Sequence, residues 1–408
     1  MQKKQEKQKK LLLLGGSKFL MPVIREAHAL GLYVITCDYL PQNPAHRCSD
    51  EYRNVSIIDQ EAVLALAREL RIDGVMSFAC DPGVVTAAYV AEKLGLPSPA
   101  SYEAACILQD KSKFRQFLAD NGFNVPNARG YREDDDTLND VDYFNWPVIV
   151  KPVDSAGSKG VTRVDDPADL PAAIAHALDC SSSRHYIIED FLEKVGPSSD
   201  TDSFSVDGDL VFCTFNNQYF DDEAENEYTP AAYSWPSSMP QTVQNELRSE
   251  LQRLMSLLGI KTGLYNIETR LCTNGKAYIM EVSPRAGGNR LAEMLKYVTG
   301  EDIIERATLA AVGEEFQDIS KGADQTKQHI VEIILHANQS GTFSHLEIAP
   351  ELQPLVVEED LWIKPGTKVD TFTGANMAIG TLAFKAESQD AVSRIVKQAK
   401  YGVKVSVS

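Results

Sequence analysis

The sequence predicts a mixed α/β and α+β chain with a parallel sheet at the front, antiparallel lobes in the middle and a small α+β segment at the end. Two patterns carry this. Up to about residue 101, short apolar runs alternate with helical stretches, as in βαβ units, which build a parallel sheet with helices on both faces. Beyond residue 146, strand signals follow each other directly and are joined by turn dipeptides such as Asp207-Gly208 and Asn274-Gly275.

In the first region, residues 11–14, 33–37 and 74–78 read as strands, and residues 19–30, 60–70 and 82–94 as helices, with Gly31 and Gly95 as stops. The Leu96-Pro97-Ser98-Pro99 stretch marks a boundary. A helix over 102–121 leads into strands at 146–152, 160–164, 184–192 and 203–216. Residues 221–240 read as a long acidic loop and 242–258 as a periodic helix. Two strands around Asn274-Gly275 and a helix over 290–312 follow. The last segment holds strands at 329–336 and 378–386 and a helix at 389–400. These signals divide the chain into residues 1–105, 106–316 and 317–408.

Composition narrows the function classes. The 408 residues carry 58 acidic and 40 basic side chains, a net charge of −18, which excludes broad phosphate-backbone binding by nucleic-acid proteins. A hydrophobic fraction of 43% and a charged fraction of 24% are those of a globular protein. Seven scattered cysteines show no metal-type spacing and read as reduced thiols of a cytoplasmic protein. Residues 1–10 read as a frayed basic tail. The four leucines that follow are too few for a signal peptide or a membrane span.

The richest stretch is Tyr265-Asn266-Ile267-Glu268 and, after the Asn-Gly turn, Met280-Glu281-Val282-Ser283-Pro284-Arg285. A two-residue turn at Asn274-Gly275 pairs Glu268 with Glu281 and Asn266 with Ser283, leaving Ile267, Leu271, Met280 and Val282 for the core face. Two carboxylates directly opposite, about 5 Å apart at Cβ, repel. A divalent cation removes that penalty, and magnesium favours one or two carboxylates completed by nucleotide phosphates. The competing reading is the solvated face of an ordinary hairpin. Arg285, just past the strand, could clamp a phosphate.

Val148-Ile149-Val150-Lys151-Pro152 is an apolar strand ending in a lysine, followed by Asp154-Ser155-Ala156-Gly157-Ser158-Lys159-Gly160. Backbone N–H groups of such a loop can approach polyphosphate while Lys151 supplies a point charge. A plain hairpin connection is the alternative. No P-loop and no protein-kinase motif set is present. Residues 186–193, with Glu189, Asp190, Phe191, Leu192 and Glu193, could form an adenine slot with a ribose carboxylate, or be ordinary core with a wet tip. Lys111 opens an amphipathic helix and, without context, is a surface lysine.

In this order the pieces resemble the ATP-grasp superfamily over most of the chain, and Glu281 to Gly288 resembles the E-x-N-P-R-x-G-G segment of its carbamoyl-phosphate-synthase-like and amino-acid-ligase-like members. The resemblance implies a Rossmann-like N-terminal domain, a central ATP-grasp domain of two α+β lobes, and a C-terminal α+β domain. It also implies an ADP-forming carboxylate–amine ligase working through an acyl phosphate, with ATP and magnesium, or manganese in its place. Carried over, Lys111, Lys151, Ser155, Gly157, Ser158 and Gly160 hold phosphates, with Lys151 and Arg285 catalytic. Glu189, Asp190, Phe191 and Leu192 hold adenine, and Glu193 or Asp202 the ribose. Glu268, Glu281 and Ser283, which replaces the usual asparagine, bind metal. Arg285, Gly287, Gly288, Asn289 and Arg290 meet a substrate.

The loop at 221–240, with Tyr228, Tyr233 and Trp235, is a second candidate substrate element, as a lid. Partners are then a small carboxylate and an amine, with no nucleic acid and no membrane, in a homodimer. Two other readings compete. Gly15-Gly16-Ser17 and Asp38 look like the start of a dinucleotide-binding domain, which suggests an NAD-dependent oxidoreductase, although the later glycine of that motif is absent. Ser283 is compatible with a catalytically silent ATP-binding protein.

Overall fold

The computed structural model describes residues 8–155 and 157–408, without the side chains of residues 138 and 139; the first seven residues of the basic tail and residue 156 of the Gly/Ser loop lie outside them. Strands β1 (Lys10–Leu14), β2 (Tyr33–Cys37), β3 (Glu51–Arg53) and β4 (Gly74–Ser77) form a parallel sheet in the order β3-β2-β1-β4. β1 sits inside the sheet, and its four leucines divide between two cores. Leu11 and Leu13 join the one containing α1 (Met21–Ala29), while Leu12 and Leu14 join the one under α2 (Gln60–Leu70) and α3 (Val84–Leu94). A strand covered on both faces has no polar side, hence the unbroken run.

Gly15 and Gly16 turn the chain out of β1, but into side chains. A Cβ on Gly16 would lie 2.4 Å from the His46 ring, and the Asp38 carboxylate accepts hydrogen bonds from Leu40 N (3.2 Å) and Asn43 Nδ2 (2.6 Å). The space and the acid that a dinucleotide would need are both in use.

The helix expected over 102–121 is two, α4 (Tyr102–Leu108) and α5 (Lys111–Asp120). Asp110 stands between them in extended conformation and its side chain accepts from Ser112 N and Lys113 N, which starts a new helix. Next come β5 (Ala128–Arg132), β6 (Val148–Pro152), β7 (Thr162–Val164), α6 (Leu170–Asp179) and β8 (His185–Asp190), with sheet order β5-β8-β6-β7. β9 (Ser199–Val206) and β10 (Asp209–Cys213) turn at Asp207-Gly208, and β11 (Asn217–Phe220) and β12 (Pro230–Trp235) follow.

The long loop expected over 221–240 therefore contains a strand. β12 runs between β11 and β15 (His329–Leu335), and Tyr233 and Trp235 are buried in the core rather than carried on a lid. Its proline stands at the first position, where a missing N–H is tolerated.

Helix α7 (Gln241–Leu258) packs Leu247, Leu251, Leu254 and Met255 beneath the sheet β10-β9-β13-β14, where β13 is Gly263–Leu271 and β14 is Ala277–Ser283. The helix expected over 290–312 is also two, α8 (Leu291–Thr299) and α9 (Ile303–Ala311). Gly300 breaks it at a φ of +86°, and Asp302 caps the second with its side chain on Glu305 N. Helix α9 returns to cover the first sheet beside α1, with Ile303, Ile304 and Ala307 in the same core as Leu11 and Leu13.

The chain ends with β16 (Gly341–Ile348), β17 (Val356–Leu361), β18 (Lys368–Val369), β19 (Gly380–Ala386), α10 (Gln389–Gly402) and β20 (Val403–Val407). The sheet β11-β12-β15-β19-β17 joins strands from both sides of residue 316. Among the described residues no helix is long and apolar enough to cross a membrane.

Gly16→Ala must push the His46 ring and Asn43 away from the turn after β1; we expect a loss of about 1–3 kcal/mol in urea unfolding, the range for overpacking.

Candidate active site

Strands β13 and β14 set the geometry. Their turn spans three residues, not two: Cys272 N bonds Lys276 O (3.0 Å), Gly275 N bonds Cys272 O (2.9 Å), and Gly275 has φ +76°. Near the turn the pairing is therefore offset by one, Leu271 with Ala277 and Thr269 with Ile279. A bulge at Met280 then restores Glu268 opposite Glu281 and Asn266 opposite Ser283. The bulge also corrects the expected core face. Ala277, Ile279 and Val282 join Ile267 in the core, whereas Met280 and Leu271 do not. The Met280 carbonyl, turned out of the ladder, accepts from Arg115 Nη1 at 2.8 Å.

Across β13 the acids continue, because Glu268 also pairs with Asp200 on β9 and Asn266 with Asp202. Burial first, then Asp200 and Glu281, raises the Glu268 carboxyl despite Arg270, whose Nη2 is 3.6 Å from Oε1. Asp200 is raised by burial as well, although Asn266 Nδ2 (2.9 Å) and Tyr233 OH (3.0 Å) donate to it. This row fits a divalent cation: two partly exposed carboxylates face each other across the ladder, and burial opposes the ionisation of Glu268. Among the described residues no three acid, histidine or cysteine side chains form a cage on their own. Phosphate oxygens would have to complete the shell, as magnesium allows.

Lys111 begins α5 above this row. Its Nζ donates to Ser155 O (2.9 Å) and lies 3.9 Å from Glu281 Oε2. Lys151 on β6 does not point freely at a ligand, because it pairs with Glu189, which also binds Arg115 Nε at 2.9 Å. In the loop, Gly157, Ser158 and Gly160 all adopt positive φ (+68°, +59°, +72°). Ser158 Oγ donates to Tyr228 O (2.8 Å), and Asn226 Nδ2 bridges Ser158 O (3.2 Å) and Thr373 O (3.1 Å). Residues 226–228 thus touch the Gly/Ser loop.

The remaining expected ligands are distributed unevenly. Glu189 is buried in the ion-pair cluster rather than presented to an adenine. Asp190 accepts from Asn145 N and Nδ2, both at 2.8 Å; Phe191 N is bonded to Pro147 O (2.9 Å); Leu192 O accepts from Arg270 Nη1 (3.2 Å). Glu193 is exposed beside them. Asp202 is elsewhere: fully buried, it accepts from Gly287 N (2.7 Å) and Asn266 Nδ2 (3.1 Å), so it anchors the turn after β14 and does not reach a ribose beside Glu193. Burial, outweighing these bonds, pushes its carboxyl up to about 7.

Ser283 is also engaged, donating to Asp81 Oδ1 (3.0 Å) and accepting from Gln109 Nε2 (2.7 Å), which removes it from the metal row. Arg285 forms a bidentate pair with Asp81, 2.8 Å at each oxygen, and gives Nη1 to Ala286 O (2.7 Å). Gly288 O accepts Leu291 N, and Asn289 and Arg290 follow at φ +51° and +63° into α8. Arg290, instead of standing open for a substrate carboxylate, is ringed by Glu293, Glu358 and Asp360.

Sequence reasoning missed Asp81, Arg115, Asp200 and Gln109. Asp81 lies just beyond β4, at the carboxyl end of a parallel strand, where ligand loops gather. Arg115 lies one turn after Lys111 on one helix face. Both signals were available. Asp200 and Gln109 carry none.

A family model described as an ATP-grasp N-terminal domain matches residues 24–98, and one for the ATP-grasp domain matches residues 144–294. A formate-dependent phosphoribosylglycinamide formyltransferase of Parasynechococcus marenigrum (strain WH8102) is 26% identical over 91% of this chain and 93% of its own length. The crystal structure of an L-amino acid ligase from Bacillus licheniformis aligns with a TM-score of 0.80 at 22% identity, over 99% of this chain and all of that one. The biotin carboxylase domain dimer of the Hydrogenobacter thermophilus 2-oxoglutarate carboxylase, solved with MgADP and bicarbonate, aligns at 0.75 and 15% identity, over 98% and 91%.

The chain belongs to the ATP-grasp superfamily. Its activity class is that of the ATP-dependent, ADP-forming carboxylate–amine ligases, whose members use ATP with a divalent metal, and nothing supports the oxidoreductase reading.

The Glu189 cluster generates a pH prediction. Burial would raise this carboxyl, but Arg115 and Lys151 outweigh it and hold it down to about 2 against an ordinary 4.5. Its stabilising contribution is therefore complete above pH 4.5 and is lost as pH falls toward 2. Glu189→Gln should cost about 3–5 kcal/mol at pH 7 and flatten that acid limb in denaturant titrations.

Proposed function

We propose that the chain joins a small carboxylate to an amine in the cleft between β14, the 157–160 loop and the turn at Gly287–Arg290. The observation that carries this reading is the registered pair Glu268–Glu281 with Lys111 Nζ 3.9 Å from one of its oxygens. That is a place for a metal-bound polyphosphate, whose charge a lone carboxylate pair would repel. Glu268 and Glu281 hold the metal, magnesium in our reading with manganese as its substitute; bound there, it neutralises phosphate oxygens during transfer.

Lys111 and Lys151 then position the phosphates, with Lys151 kept in place by Glu189. The N–H groups of residues 157–160 cover them, and Asp190 to Glu193 border the base and ribose. Arg285 is poised beside the reacting group. Its pairing with Asp81 fixes the guanidinium plane, and a carboxylate or phosphate could share the face that Asp81 leaves. Catalysis then consists of placement and charge neutralisation, which needs no side-chain nucleophile.

We further assign three parts, residues 1–105, 106–316 and 317–408, with β11 and β12 of the second docked on the third, in a cytoplasmic homodimer acting on small metabolites.

The first assay is release of ADP and phosphate from Mg-ATP with pooled carboxylates and amines. Release should need both pools, vanish with EDTA and return with manganese. Glu281→Ala should lower it by at least about 100-fold with an unchanged circular-dichroism spectrum. Full turnover in that variant would sink the assignment.

A further inference from the structure

A cavity of about 240 Å³ opens beside the Gly287–Arg290 turn, room for about eight waters or one small metabolite. Phe19, Met21, Phe78, Ile304 and Trp362 give it apolar walls. Its charged lining is three cations, Lys18, Arg25 and Arg290, against two acids, Glu293 and Asp360. Those acids match both guanidinium groups. Arg25 lies 3.0 Å from Glu293, and Arg290 lies 3.3 Å from Glu293 and 3.4 Å from Asp360. Asp360 Oδ2 also accepts from Trp362 Nε1 (2.9 Å), which fixes the indole at the cavity wall.

Lys18 is the cation left over. The turn at Gly15 and Gly16 delivers it from the end of β1. It donates to the carbonyls of Asn376 (3.2 Å) and Ala378, and its Nζ lies 4.6 Å from the Trp362 ring centre. An ammonium has three N–H groups, so one stays without an acceptor among the described residues. Burial alone pulls this ammonium down to about 8, with no neighbouring carboxylate to hold it up. The acids behind the wall do not supply one. Glu358 lies against Arg290 Nη2 (3.0 Å), and burial pushes Glu332 well above the usual carboxylate range, toward its neutral form. A carboxylate entering the cavity would bring Lys18 one negative charge and an acceptor for its third N–H. A phosphate ester would bring about two charges, and the second would find both guanidinium groups already paired.

We infer that one substrate has an apolar body and a carboxylate that Lys18 receives, the body lying against Phe19, Met21 and Trp362. Glu268, Glu281 and Lys111 are not part of the cavity lining. This carboxylate is therefore kept through the reaction, and the opposite end of the substrate, toward Gly287, carries the group that reacts. The inference rests on the ligase reading above and names a recognition group of that site's substrate.

The test uses the full chain without ATP, titrated separately with 3-phenylpropanoate, its neutral amide 3-phenylpropanamide and phenyl phosphate, by calorimetry and tryptophan fluorescence. We expect 3-phenylpropanoate to saturate, to bind about tenfold or more tighter than the amide, and to give a fluorescence change that Trp362→Phe removes. Lys18→Met should cut the advantage of acid over amide to about twofold or less, and Lys18→Arg should keep it. Equal weakening of acid and amide in Lys18→Met would mark a purely structural lysine and overturn the inference. No saturation by about 10 mM 3-phenylpropanoate, or tighter binding of phenyl phosphate, would overturn it as well. Acid binding by a chain that releases no ADP with any substrate pool would count against the ligase reading alone; ADP release that requires a phosphorylated substrate would count against this inference alone.

Discussion

Glu268 and Glu281 stand opposite each other on β13 and β14, with Asp200 beyond them on β9, and the cost of that row of acids governs what surrounds it. Like charges across a ladder destabilise a hairpin, and burial worsens the penalty. The surrounding elements answer it with cations: Lys111 comes from the start of α5 and Arg270 from the same strand, and Arg285, from the turn beyond β14, stands nearby in its pair with Asp81. In a chain with a net charge of −18 such a concentration of basic groups at one point is what supports the proposed phosphate site.

A second ionic cluster supports the first. Glu189 takes Lys151 on one oxygen and Arg115 on the other, and Arg115 reaches on to the Met280 carbonyl exposed by the bulge. One helix, α5, thus ties β8 and β6 of one sheet to β14 of the other, and the same helix presents Lys111. The Asp81–Arg285–Ser283–Gln109 group does the equivalent for the first sheet, joining the turn after β4 to the end of β14. Removing one partner from either cluster leaves a buried charge unmatched, which is why both are expected to be costly to break.

Periodicity and turn chemistry were sufficient for much of the architecture. Leu11–Leu14 could only be a strand buried on both faces, and the Asn-Gly turn brought Glu268 and Glu281 together even though the turn has three residues and a bulge restores the register. Local rules failed where a single residue divides an otherwise continuous pattern. Asp110 and Gly300 each split a helix that the apolar period alone would have continued. The strand β12 was missed because its acidic, proline-bearing approach outweighed the buried tyrosine and tryptophan that follow.

The sequence by itself determined the order of elements, the residue types competent for phosphate and metal, and the pairing of the two glutamates, because each depends on neighbours in the chain or across one short hairpin. Only the tertiary structure decided which of those residues are available. Glu189, Ser283, Asp202 and Arg290 have the right chemistry for ligands, yet each is claimed by a partner at least 68 residues away: Arg115, Asp81, Gly287 and Glu358. Electrostatic and hydrogen-bond satisfaction of a buried group is settled by whatever packs against it, and one-dimensional spacing does not record that.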